Sequence, residues 1–107
     1  MANVFDTAKY ILHKTGEIST WKLQKLCYYA QAWTLAWTGK PLFAEDFEAW
    51  RNGPVCRPLF LRHKGMYSVT ENLLPDGNID ALTEDEKDSI DTVLSSYGAM
   101  EPYQLRA

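Results

Sequence analysis

Few residues in this 107-residue chain have both the type and the company that chemistry requires. Cys27, Cys56, His13 and His63 are the possible metal ligands or nucleophile and base, and they stand at unrelated intervals. They form no CxxC pair, zinc-knuckle spacing or HExxH pair, so neither a metal nor another cofactor is expected. A cysteine nucleophile would need one of these thiols beside one of these histidines, and nothing in the spacing requires that. Cys27 fits better as a small buried hydrophobe. Glu45, Asp46 and Glu48 are clustered acids, but in an extended segment alternation points Asp46 and Glu48 to one side and Glu45 to the other. That suits an exposed junction better than acid–base catalysis. With no phosphate-cradling glycine loop and no GxSxG elbow, the expectation is a protein with no catalytic residues.

Binding chemistry is better represented. Lys22 and Lys25 are interleaved with Tyr28 and Tyr29, a pattern that could stack on single-stranded nucleic acid. A net charge of −3 argues against nucleic acid as the partner. Trp50, Arg51 and Asn52 run into Gly53-Pro54, where a rigid turn would present an aromatic and a cation together. Trp, Tyr and Arg are the residue types that most often carry binding energy at protein interfaces. Trp50 reads equally well as a strand residue packed on a helix, since large aromatics dominate cores and interfaces alike. The candidate partner-binding residues are Lys25, Tyr28, Tyr29, Ala32, Trp50, Arg51, Asn52, Gly53 and Pro54.

These residues depend on one element for their placement. Thr20 to about Thr38 reads as a single long helix that carries five of the fourteen aromatics. At 3.6 residues per turn, Leu23, Leu26, Cys27, Ala30, Trp33, Thr34 and Trp37 share a face. The opposite side carries Tyr28, Tyr29, Ala32, Leu35 and Ala36, relieved mainly by Lys22 and Lys25. A helix apolar nearly all round is wrapped by its own domain or covered by a partner, a second copy of the chain being one such cover.

The remaining segments are then the wrapping. Asn3 can cap a first helix with the stripe Val4, Phe5, Ala8, Ile11 and Leu12, closed by Gly16. Ser19 caps the long helix, and Gly39 with Pro41 ends it. Asp46 to Arg51 alternates like a short strand stopped by Asn52-Gly53-Pro54. Pro58 suits the first turn of another helix, with Leu59, Phe60 and His63 inward, and Met66 to Thr70 is expected as a second strand pairing with the first across it. Thr83 and Glu86 form a capping box for a last helix with the stripe Ile90, Val93, Leu94 and Tyr97, ended by Gly98. Glu101-Pro102 opens a further helical turn, and Leu105-Arg106-Ala107 brings no final cap. The fold expected is mainly α (α+β): one compact helical domain over residues 1–107, built around the helix at about 20–38, with a short two-stranded antiparallel β element.

Charge is unevenly distributed. Residues 1–40 hold five lysines and two acids, residues 41–75 four of each sign, and residues 76–107 eight acids against Lys87 and Arg106. The acidic end suits solubility and would also suit a basic protein partner. No run approaches the ~20 apolar residues of a membrane span, and MANVFDTAKY lacks the regions of a secretory signal. The cytoplasm is the expected compartment.

The blocks Leu23-Gln24-Lys25-Leu26-Cys27-Tyr28-Tyr29-Ala30-Gln31-Ala32-Trp33, Gly39-Lys40-Pro41-Leu42-Phe43, Glu48-Ala49-Trp50 and Gly53-Pro54-Val55 follow one another at specific spacings. In that order they resemble the Panacea domain, the SocA-like antitoxin family that also includes phage-associated GepA-like proteins. The resemblance runs from about Val4 to the end. Cys27 stands where the family often has Leu, and Ala32 where Gly is commoner. The family usually continues into a segment with Thr-His and Pro-Trp, so a C-terminally shortened domain is expected. The resemblance implies neutralisation of a cognate toxin by protein–protein contact, with delivery of the toxin to the ClpXP protease as a role of some members. A prophage-encoded nucleic-acid-binding or regulatory protein is the alternative reading.

Overall fold

The long helix is central, and the other elements lie against it. A computed structural model describes residues 1–97, and the expectations at Gly98, Glu101-Pro102 and the C-terminus fall outside them. In chain order the elements are α1 (Val4–Thr15), β1 (Ile18–Ser19), α2 (Thr20–Thr38), β2 (Phe47–Trp50), β3 (Gly53–Cys56), α3 (Arg57–His63), β4 (Ser68–Val69) and α4 (Glu84–Tyr97). Short 3₁₀ turns at Glu71–Leu73 and Ile79–Ala81 link β4 to α4. The fold is mainly α with a small antiparallel β component.

Local chemistry sets the helix ends. Asn3 Oδ1 accepts from the Asp6 amide at 2.9 Å, and Asp6 Oδ2 accepts from the Asn3 amide at 2.9 Å, a reciprocal cap on α1. Glu45 reaches the same end and accepts from the Val4 amide at 3.1 Å. Ser19 Oγ accepts from the Lys22 amide to start α2, and Gly39 closes it with φ +74°, a left-handed conformation suited to glycine. Thr83 and Glu86 form the expected capping box on α4, at 2.8 and 3.1 Å.

The buried face of α2 runs through Leu23, Leu26, Cys27, Ala30 and Thr34, and meets Ile11, Leu12, Phe43, Leu59, Ile90 and Val93 in one core. The expected burial of Trp33 and Trp37 is corrected here. Trp33 is half-buried and Trp37 is 72% exposed, the two rings stacking at 5.7 Å. The apolar stripe is wider than its cover: Thr34 and Thr38 lie towards the start of α4, while Leu35 and Trp37 are left exposed.

The strand pairing also differs from the expectation. β2 pairs with β3 in a hairpin, with Phe47 opposite Cys56 and Trp50 opposite Gly53, so Gly53-Pro54 begins the return strand instead of stopping the sheet. Only Ser68–Val69 of the Met66–Thr70 stretch is a strand, and it pairs with Ile18–Ser19. A two-residue turn at Arg51-Asn52 closes the hairpin with far less loop entropy than pairing across a helix. α3 turns Leu59 and His63 inward as expected and leaves Phe60 half-buried.

Candidate partner-binding surface

Two glutamines on α2 hold the segments that build the surface. Gln24 and Gln31 are seven residues apart, hence on nearly the same face two turns apart. Gln31 Oε1 accepts from the amides of Leu42 and Phe43 at 2.7 and 3.3 Å, and its Nε2 donates to the Phe43 carbonyl at 2.7 Å. Gln24 Oε1 accepts from the Cys56 amide at 2.9 Å, while its Nε2 donates to the Cys56 carbonyl at 3.3 Å and to His63 Nε2 at 2.9 Å. These bonds satisfy backbone groups buried between elements and lock the exit of the hairpin and the end of α3 to the central helix.

Gly53 is held over α2 in a way only glycine allows. Its φ is +126°, and a Cβ there would collide with the Lys25 ammonium and lie 2.9 Å from Lys25 Cε. Lys25 is therefore not on the exposed face expected for it. Only 5% of it is exposed, and its side chain runs beneath the hairpin.

Trp50 divides the surface. Its indole Nε1 donates to Glu48 Oε1 at 2.9 Å, and its ring meets Phe60 edge-on at 4.8 Å. Phe60 in turn sits edge-on to His63 at 5.5 Å. On one side of Trp50 is a shallow cleft of about 340 Å³, formed by Tyr28, Phe47, Glu48, Ala49, Gly53 and Pro54. Tyr28 packs edge-to-face on Phe47 at 5.3 Å. On the other side is a smaller cleft of about 160 Å³, with Gln24 and His63 among its lining and Trp21, Val55, Phe60 and Met66 as its apolar walls. Trp21 and Met66, at 42% and 51% exposure, stand at its mouth beside Tyr67, which is 81% exposed.

The structure thus brings Tyr28, Trp50, Gly53 and Pro54 together, and leaves Arg51 and Asn52 exposed at the hairpin tip. Ala32 is exposed one turn along α2 from Tyr28. Tyr29 adjoins them through Tyr28, whose ring it meets at 5.8 Å, and is otherwise half-buried against the core, stacking on Tyr97 at 4.8 Å. Burial, then the neighbouring Tyr97 and Tyr28, raises its phenol pKa. Sequence reasoning did not single out Trp21, Gln24, Met66 or Tyr67 for this surface. Gln24 carried the one available signal, a polar side chain set among the apolar positions of α2.

The thiols have the wrong electrostatics for nucleophiles. Burial pushes Cys56 up to about 11 and raises Cys27 further still, so both are protonated at neutral pH. Among the described residues, no three His, Cys, Asp or Glu side chains gather to hold a metal ion, and no helix is long and apolar enough to cross a membrane.

The family model described as antitoxin SocA-like, Panacea domain, matches residues 23–107. That span takes in α2 from Leu23 onward, the hairpin, the larger cleft and all of the smaller cleft except Thr20 and Trp21, and the chain belongs to this family. No curated protein and no solved structure matches it.

Proposed function

We propose that this chain is a non-enzymatic antitoxin that neutralises a cognate toxin in the cytoplasm by direct contact, through the surface centred on Trp50. The observation that carries the reading is the position of Trp50 on a chain of the antitoxin family: a half-buried tryptophan between two apolar clefts, on a hairpin anchored to the central helix. Energetic anchors of protein interfaces are typically aromatic side chains seated in such surroundings. The hairpin is pre-organised by Gln24 and by the glycine contact over Lys25, which lowers the ordering cost of association. Delivery of the bound toxin to the ClpXP protease is a further step in the same reading. A toxin degradation chase with and without the chain separates blocking from delivery.

The test is co-expression with the toxin encoded beside its gene. Trp50→Ala and Tyr28→Ala each remove an aromatic that lines the larger cleft, and rescue of growth should fall while the thermal midpoint stays within a few degrees of wild type. Full rescue by both variants would move the interface elsewhere. Tyr29→Ala removes a ring that packs on both Tyr28 and Tyr97, so loss of rescue is expected together with a lowered thermal midpoint.

A further inference from the structure

The cleft on the α3 side of Trp50 has a size, lining and charge that together specify an occupant. Its volume of about 160 Å³ falls below the ~300–1,000 Å³ of small-molecule and cofactor pockets. It has room for a single large side chain. Its walls are Trp21, Val55, Phe60 and Met66. Inside it the polar side chains are engaged, Gln24 with both backbone groups of Cys56 and with His63 Nε2, and Thr20 Oγ1 with the Met66 carbonyl, while the exposed Lys64 brings its charge to the lining. An apolar group therefore gains burial there, whereas a polar one finds little to replace its water.

Charge supplies the rest. Residues 49–70, which form most of the outer wall, contain Arg51, Arg57, Arg62 and Lys64 and no acid. Lys64 lines the cleft, and Arg51 is exposed at the hairpin tip beside Trp50. Arg62 is occupied, its guanidinium donating to both carboxylate oxygens of Asp76 at 2.9 and 2.6 Å. Glu48 and Glu17, the acids tied to this region, accept hydrogen bonds from the neutral donors Trp50 Nε1 and Ser68 Oγ and keep their charge, so they offset part of this positive field. With Arg62 paired, Arg51, Arg57 and Lys64 still outnumber these two acids, and the balance favours an acidic partner segment.

We propose that this cleft docks a segment of a partner protein that inserts one aromatic or large aliphatic side chain flanked by acidic residues. The proposal rests on the antitoxin reading only in taking a protein as the partner. Its test needs no toxin, so the two can fail separately.

The probe is a blocked pentapeptide, Glu-Glu-Phe-Glu-Glu, titrated into isotopically labelled protein and followed by the indole N–H signals of the four tryptophans. The expected result is saturable movement of the Trp21 and Trp50 signals, with Trp33 and Trp37 unmoved, at a Kd of about 1 mM or tighter. Replacing Phe by Ser in the peptide should abolish the shifts. Replacing its glutamates by lysines should weaken binding by about tenfold, and added salt should narrow that difference. Lys64→Glu and Met66→Ala alter rim residues and should keep the remaining spectrum intact. The first should shrink or reverse the preference for the acidic peptide, and the second should weaken binding several-fold. No movement at about 1 mM, equal binding of the lysine peptide, or movement of Trp33 and Trp37 instead would overturn the proposal. So would an unchanged charge preference in Lys64→Glu.

Discussion

At the scale of single residues, His63 shows how a buried polar contact makes stability depend on pH. Its Nε2 accepts a hydrogen from Gln24, whose amide cannot turn round because its oxygen is needed by the Cys56 amide. A proton on Nε2 would face an N–H donor and lose the bond. Burial lowers the pKa of His63 from the usual 6.5, with a hydrogen bond to its own backbone acting in the opposite sense. A lowered folded-state pKa means the unfolded chain binds the proton first as pH falls. The contribution is therefore complete above about pH 6.5 and is lost progressively as pH falls from there through the folded pKa. Urea denaturation at a series of pH values should show stability declining below about 6.5, ahead of the carboxylates. His63→Leu should be less stable at pH 7, with a flatter slope between about pH 5 and 6.5. An equal slope in both proteins would assign the decline to other groups.

At the scale of elements, α2 separates two kinds of apolar residue that a helical wheel treats alike. Leu26 is fully buried against the core, so Leu26→Ala should cost roughly 2–5 kcal/mol through lost transfer energy and the cavity left behind. Trp37 is on the same stripe but exposed, so Trp37→Ala should change stability by less than about 1 kcal/mol. Denaturant midpoints at constant m-value measure both. Comparable losses would mean that the last turn of α2 is covered in solution. The hairpin follows the same logic of local environment: Arg51-Asn52 makes the turn, and the φ of +126° at Gly53 is what calls for glycine there, above the Lys25 side chain.

At the scale of the whole molecule, α2 packs against α1, α4 and the β2–β3 hairpin, and no one of these buries it alone. Polar contacts tie the wrapping to itself. Tyr10 donates from its hydroxyl to Asp91 Oδ1 at 2.8 Å, joining α1 to α4, and Asp6 Oδ1 accepts from the Asn78 amide at 2.7 Å. Arg62 stacks on Phe5 at 4.4 Å while paired with Asp76, which its guanidinium holds at a pKa of about 2. With a shared core, unfolding should be one cooperative transition, the calorimetric and van't Hoff enthalpies agreeing. Substitutions in α2 and α4, such as Leu26→Ala and Val93→Ala, should lower the same midpoint. Two separable transitions would show that the hairpin and α4 fold as independent units.

The helices were legible in the sequence because their signals are local. Asn3, Ser19 and Thr83 cap through side chains within three residues, and Gly16 and Gly39 mark ends that need positive φ. The nearness of Trp50 to the Gly53-Pro54 pair was legible, the structure sets them with Tyr28 around one cleft, and the family match runs through them. Which apolar residues would be covered was not legible, since period 3.6 gives the faces of a helix but not which parts of them other elements cover. Thus Trp37 and Lys25 exchange their expected roles: the tryptophan is exposed and the lysine buried. The second cleft was equally hidden, because Trp21, Trp50, Phe60 and Met66 come from three separate segments. Tertiary structure decided it, through the glutamine bonds that draw Cys56 and His63 onto α2 across 32 and 39 residues of chain.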